Sequence, residues 1–356
     1  MHKAGDVFVW RAGENVVYYP PMYPDVPLWL SIAFMLGGLA ALAWSSDAFV
    51  SSSAALARAL GVSPFVVGMV VIGFGTSAPE LCVSVLSGLS DHSNLSLGNA
   101  YGSCIFNIAV ILGVAALIAP LAVKPMAALF AGPGLAAVTL FAMWLLRDGA
   151  CGRGEAAALL VAFAVVLPLY CWFDQKGKAG KGGAEAPGGG ACTSMLKTST
   201  MLVVSLAALI GSAHVLVWGA VDFARFMNVS DLLIGLTIVA VGTSLPELAS
   251  AVASARRGEH EFVLGNIVGS NLFNMLAVVG LATVISPVTP ETGGFSRYIL
   301  VRDMPLLAVL SLSIAAFGLN WRSPRSPGRV PRAAAIAWLV AFAAYTALMF
   351  YQETHG

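Results

Sequence analysis

Two blocks of this sequence are copies of one another. GTSAPEL begins at Gly75 and GTSLPEL at Gly242; GNAYGSCIFN begins at Gly98 and GNIVGSNLFN at Gly265. Both pairs stand 167 residues apart. The same offset aligns Arg58 with Arg225, Ser63 with Ser230, Gly113 with Gly280 and Pro120 with Pro287. A gapless correspondence of this length marks an internal duplication, so the fold must be assembled from two like halves.

Each half is too apolar for water. Hydrophobic residues make up 58% of the 356 and charged residues only 10%, where a soluble domain carries about 25% charged. Apolar runs long enough to cross a hydrocarbon core of about 30 Å recur along the chain. Ten are expected, at residues 28–50, 64–88, 95–118, 126–146, 155–173, 200–222, 231–255, 262–285, 300–319 and 333–351. The semi-polar stretch Ser51 to Leu60 is a candidate continuation of the first.

Gly and Lys dominate the segment between the fifth and sixth runs, which has no apolar period and reads as a flexible linker. The expected organisation is an N-terminal extramembrane extension (1–27), a first five-helix repeat (28–173), a linker (174–197) and a second five-helix repeat (198–356). Five is odd, so the second repeat enters the membrane from the opposite side. The fold class expected is therefore all-α integral membrane, with ten transmembrane helices in two inverted five-helix repeats. Architectures of this kind belong to transporters and place the substrate near the midplane, where the repeats meet.

Basic residues give the orientation. Arg58, Lys124, Lys176, Lys178, Lys181, Lys197, Arg256, Arg257, Arg322, Arg325, Arg329 and Arg332 fall on one face, 12 of the 19 in the chain. The positive-inside rule makes that face cytoplasmic, with the linker on it and both termini outside. A net charge of +1 argues against a nucleic-acid partner. The five cysteines form no Cys-x-x-Cys pair and read as small apolar residues.

Carboxylates are scarce in the apolar runs, yet Glu80 and Glu247 lie well inside two of them at matching repeat positions. A charge at the bilayer centre costs roughly 2.5–3.5 kcal/mol on insertion scales. No Lys or Arg lies in the second, third, seventh or eighth run to neutralise them, so a cation or a proton has to. Their neighbours favour a hard cation. Thr76 and Glu80 share a helix face at i, i+4, as do Thr243 and Glu247, Ser103 and Asn107, and Ser270 and Asn274. Ser77 and Ser244 add a second hydroxyl. All offer oxygen, the donor that Ca²⁺ takes six to eight times over at 2.3–2.6 Å.

Pro79 and Pro246 have no N–H to give the carbonyls of Gly75 and Gly242 four residues back. At membrane depth a freed carbonyl is tolerated where it lines a wet cavity, so both are candidate ligands. Gly98, Gly102, Gly265 and Gly269 would let the motif helices approach closely.

The paired blocks resemble the two alpha-repeats of the cation/Ca²⁺ antiporter superfamily, in its Na⁺/Ca²⁺ exchanger branch. That resemblance covers the repeats closely and the ten-span layout generally. It implies ion binding by Thr76, Ser77, Glu80, Ser103, Asn107, Thr243, Ser244, Glu247, Ser270 and Asn274, and by the carbonyls of Gly73 and Ala240. The Gly73 and Ala240 carbonyls differ from those the prolines free, and both pairs stand as candidates. Several family members, the K⁺-dependent ones included, carry Asp where this chain has Asn274, so a K⁺ co-substrate is not implied.

The function expected is secondary active exchange of Na⁺ for Ca²⁺ in the cell (inner) membrane by alternating access. The first and sixth spans would slide past a fixed core, no cofactor is needed, and a single chain suffices. H⁺/Ca²⁺ antiport is the nearest rival, although proton-coupled relatives usually show GNA-x-E in place of GTS-x-PE. A passive cation channel fits less well, because channel filters come from symmetric oligomers. A membrane enzyme is not indicated, since no span holds HExxH, CxxC or a nucleophile–base pair.

Overall fold

Long apolar runs fold as helices because a helix satisfies every backbone polar group within itself, as a bilayer demands. The computed structural model describes residues 9–12, 15–18, 27–89, 93–179, 195–227, 240–289, 294, 296–323 and 326–355. In chain order these form β1 (Val9–Ala12), β2 (Asn15–Tyr18), α1 (Leu28–Leu60), α2 (Pro64–Thr76), α3 (Ala78–Leu89) and α4 (residues 93–118). There follow β3 (Leu121–Val123), α5 (Pro125–Leu145), α6 (Arg153–Ala179) and α7 (Met195–Phe226). The chain continues through α8 (Ala240–Thr243), α9 (Leu245–Arg256), α10 (His260–Ile285), α11 (Ile299–Gly318), β4 (Gly328–Val330) and α12 (Arg332–His355).

Among the described residues the regular structure is helical, apart from two small antiparallel pairs, β1 with β2 and β3 with β4. Among the described residues eight helices are long and apolar enough to span a membrane: α1, α4, α5, α6, α7, α10, α11 and α12. The expected second and seventh spans are the exceptions, because each is broken in two. The break between α2 and α3 falls at Ser77 (φ −81°, ψ 6°) and that between α8 and α9 at Ser244 (φ −93°, ψ 8°). Each break lies two residues before a proline, Pro79 or Pro246, whose missing N–H removes a helical hydrogen bond. Residues 228–239, the expected start of the seventh span, lie outside the described residues.

Two expected limits move. Ser51 to Leu60 continues α1, which ends at Gly61 in the left-handed region (φ 63°). Helix α6 runs on to Ala179, past the expected linker start at 174, and α7 resumes at Met195. Most of the expected linker (180–194) and most of the N-terminal extension lie outside the described residues.

Helix α10 is the centre of the molecule. In its apolar window 83% of residues are buried, against 17% in α6 and in α12. Leu264, Ile267, Val268, Leu272, Met275 and Leu276 of α10 pack with Tyr101, Ile105, Ile108 and Leu112 of α4 in one continuous core. Glycines bring α2 against α10. A Cβ on Gly265 would stand 2.2 Å from the Phe65 carbonyl oxygen, and one on Gly269 2.1 Å from that of Met69. The expected close approach holds for these two; no described atom lies within 4 Å of a Cβ on Gly98 or Gly102.

Loops meet in two clusters. β3 and β4 pair beside the ion pair of Lys124 with Glu261, gathering residues 121–124, 261 and 328–330. Cys151 and Val288 exchange backbone hydrogen bonds in another cluster of loops. Asp47 makes a two-point ion pair with Arg257, tying α1 to the turn after α9. His214 is a hydrogen-bonded helix residue, its Nδ1 2.9 Å from the Ile210 carbonyl.

Candidate ion-binding site

The two helix breaks meet back to back. Because each falls before a glutamate, Glu80 lies in the first turn of α3 and Glu247 in the first turn of α9. A helix N-terminus carries partial positive charge and favours an acidic residue there. Glu80 is 1% exposed and Glu247 fully buried.

Each glutamate is held by the serine of the other half. Ser77 Oγ donates to Glu247 Oε1 at 3.0 Å, and Ser244 Oγ donates to Glu80 Oε1 at 3.2 Å. The offset of 167 converts one contact into the other. Other contacts link a residue with its own counterpart. Cys104 Sγ donates to the Asn271 carbonyl (3.7 Å) and Asn271 Nδ2 to the Cys104 carbonyl (3.4 Å). Ser45 and Ser212, on α1 and α7, lie 3.3 Å apart through their hydroxyls.

Four carboxylate and amide oxygens at these motifs are shielded from solvent and accept no hydrogen bond: Glu80 Oε2, Glu247 Oε2, Asn107 Oδ1 and Asn274 Oδ1. Buried polar atoms are almost always partnered, and each exception calls for an explanation such as an ion. Two carboxylates and two amide oxygens are the donor chemistry of a hard cation. Asn107 opens a widened, π-helical turn in α4 (Asn107–Leu112), and Asn274 lies in the matching turn of α10 (Phe273–Val278). Such turns interrupt regular helices most often at functional sites.

The remaining expected residues fall as follows. Thr76, Ser77, Ser103, Ser244 and Ser270 are buried, and Thr243 is half-buried at the end of α8. Ser270 Oγ reaches the Gly73 carbonyl at 3.3 Å and Thr76 Oγ1 reaches it at 3.5 Å. Gly73 thus joins α2 to α10 at the motif. Ala240 opens α8. Cβ atoms on Gly75 and Gly242 would point at Leu206 and Val217 of α7. Of the two carbonyl pairs, the one containing Gly73 has the Thr76 and Ser270 hydroxyls against it.

Asn266, not singled out by the sequence reading, is at the hub. Its Nδ2 donates to the Glu247 carbonyl (3.3 Å) and to Ser250 Oγ (3.1 Å), while its Oδ1 accepts from Thr76 Oγ1 (3.3 Å) and Ser270 Oγ (3.4 Å). The backbone carbonyl can only accept, so the amide polarity is determined. Each hydroxyl has one proton, which Thr76 directs among Asn266, Gly73 and the Ile72 carbonyl (2.9 Å) and Ser270 between Asn266 and Gly73; all of these are acceptors, so the lone pairs of both hydroxyls stay free for another partner. A signal for it existed: Asn266 stands four residues before Ser270, on the same helix face, and pairs with Asn99 under the offset.

The sequence model of the family described as sodium/calcium exchanger protein matches residues 30–172 and 198–351. The chain belongs to this exchanger family. The two matched stretches flank the segment expected as linker. CaxA of Alkalimonas amylolytica is similar to this exchanger, 37% identical over 322 residues, covering 89% of this chain and 98% of CaxA. The sodium/calcium exchanger MaX1 of Methanosarcina acetivorans is 28% identical over 355 residues, covering 87% and 98%. A solved structure of the sodium-calcium exchanger NCX_Mj, soaked with 100 mM Na⁺ and 10 mM Sr²⁺, superposes with a TM-score of 0.75 at 28% identity, covering 90% of this chain and 99% of that one. This exchanger is thus a multi-pass membrane protein of a transporter family, one that moves cations across the membrane.

Proposed function

We propose that this exchanger carries Na⁺ in one direction and Ca²⁺ in the other by alternating access, and that Glu80 and Glu247 hold the ions. The crossed serine–glutamate pairs carry the reading, since each leaves one buried carboxylate oxygen without a partner. Two carboxylates match the charge of one Ca²⁺. Thr76, Ser77, Ser103, Asn107, Thr243, Ser244, Ser270 and Asn274, with the Gly73 and Ala240 carbonyls, supply the other oxygens. Na⁺ at overlapping oxygens displaces Ca²⁺ by competing for the same carboxylates. The ions are substrates, and no cofactor takes part.

On this reading α2 with α3, and α8 with α9, belong to the second and seventh spans, giving ten in two inverted repeats. Broken helices whose half-ends face bound ions recur at the centre of inverted-repeat transporters. Contacts between counterparts 167 residues apart support the two-fold relation. Helices α1 and α7 slide together past the core. Their close crossing supports this, since a Cβ on Gly219 would lie 2.7 Å from the Ser31 carbonyl oxygen. The basic face with Lys124, Arg257 and Arg329 is cytoplasmic in the cell (inner) membrane, the linker lies on it, both termini lie outside, and one chain suffices.

Flux into proteoliposomes tests the reading. Ca²⁺ uptake should follow an outward Na⁺ gradient and stop when that gradient is removed. Uptake driven by a pH gradient instead overturns Na⁺ coupling in favour of H⁺/Ca²⁺ antiport. Uptake with neither gradient indicates a channel.

A further inference from the structure

The two site amides are related by the repeat but are not held alike. Asn107 Nδ2 donates to Asn271 Oδ1 at 3.0 Å. Asn271 Nδ2 in turn donates to the backbone carbonyl of Cys104 at 3.4 Å. A backbone carbonyl has no proton to give. Asn271 must therefore turn its NH₂ toward Cys104 and its oxygen toward Asn107. Asn107 must then turn its own NH₂ toward Asn271, which leaves Oδ1 as the end facing away from that bond. That oxygen is buried and accepts nothing. The orientation of Asn107 thus follows from the polarity of one backbone group, two hydrogen bonds away.

The other half breaks the pattern. The offset of 167 maps Asn271 onto Cys104 and Asn107 onto Asn274. Where Asn107 meets an amide, Asn274 has only a thiol at the corresponding position, and the Cys104 thiol already donates to the Asn271 carbonyl. Neither Oδ1 nor Nδ2 of Asn274 makes a hydrogen bond. Asn271 and Cys104 are both fully buried.

We infer that Asn271 is a positioning residue that fixes Asn107 with its oxygen toward the ions, while Cys104 leaves the Asn274 amide free to reorient with the ion bound. The inference rests on the proposed ion site but concerns residues outside its ligand set. One amide oxygen is preorganised, so binding meets no reorientation cost there. The other adapts, which suits a site that takes two cations of different charge in turn.

The test compares wild type, Asn271→Cys and the exchange Cys104→Asn/Asn271→Cys. Equilibrium binding of Ca²⁺ to the purified protein is the readout, with melting temperature alongside. Asn271→Cys removes the hold using a residue the chain already carries at the counterpart position. It should weaken Ca²⁺ binding about fivefold to tenfold, the worth of one buried hydrogen bond, and lower the melting temperature as well, because Asn107 Nδ2 and the Cys104 carbonyl lose their partner. The double exchange moves the hold from Asn107 to Asn274 and should restore affinity to within about threefold of wild type. Unchanged affinity in Asn271→Cys overturns the inference, as does a fall in melting temperature with unchanged affinity. A folded double variant that stays as weak as Asn271→Cys also overturns it. Because binding is read directly, the predicted pattern without Na⁺-driven flux would leave this inference standing and refute the proposed exchange. A wild type that binds no Ca²⁺ would refute both.

Discussion

Gly269→Ala tests whether the backbone seam between α2 and α10 sets the ion site. A Cβ at this position would lie 2.1 Å from the Met69 carbonyl oxygen and 2.8 Å from the Met69 carbonyl carbon and Cα. These are backbone atoms and cannot rotate aside. Restoring an ordinary contact requires the helices to part by about 1 Å. Ser270 follows Gly269 directly, and its hydroxyl lies 3.3 Å from the Gly73 carbonyl across the same seam. Opening by about 1 Å breaks that contact and carries Ser270 away from Thr76 and Gly73, whereas Ca²⁺ holds its ligands within 2.3–2.6 Å. Overpacking alone costs about 1–3 kcal/mol. If half of that strain is relieved when the site opens, Ca²⁺ affinity falls by about twofold to tenfold. Half-saturation of Na⁺-driven Ca²⁺ uptake measures the effect. Gly37→Ala is the control, because that glycine is exposed on α1 with no described atom within 4 Å of its Cβ. A Gly269→Ala protein with wild-type half-saturation and melting temperature would refute the argument that this contact sets the ligand distances.

Glu80→Gln and Glu247→Gln each keep an oxygen for the opposing serine but lose a charge. Each should abolish measurable Ca²⁺ flux, since removing one charge of a buried pair costs about 3–5 kcal/mol; near-normal exchange by either removes that glutamate from the site. Asn274→Asp places a third carboxylate beside two others. It should shift the balance between Na⁺ and Ca²⁺ or make flux depend on pH between about 6 and 9, while the wild type should exchange equally well with K⁺ replaced by choline. Wild-type flux that collapses without K⁺ contradicts a two-carboxylate site. A cysteine at Gly183 in the linker should react with impermeant reagents only from the cytoplasmic side, and labelling of intact cells from outside reverses the proposed orientation.

Much of this protein is determined by its sequence alone. Unbroken apolar runs admit only helices in a bilayer, and two lone glutamates without a basic partner in their spans admit only a cation or proton site. The offset of 167 identifies which residues correspond. Correspondence is not proximity, however, and docking decided the rest. Only the packed halves show that Ser77 reaches Glu247 and not Glu80. That the break falls at Ser77, two residues ahead of Pro79, and that α4 widens at Asn107 is visible only in the folded chain. Asn266 was legible as a paired Asn on the ligand face of its helix, but its role comes from hydroxyls on α2 and α10 meeting one amide oxygen. Asn271 was hidden, because its counterpart is Cys104 and a search for matched polar pairs passes over it. Amide orientation is decided by backbone carbonyls contributed from the opposite half of the chain, and which carbonyl arrives there is a property of tertiary packing.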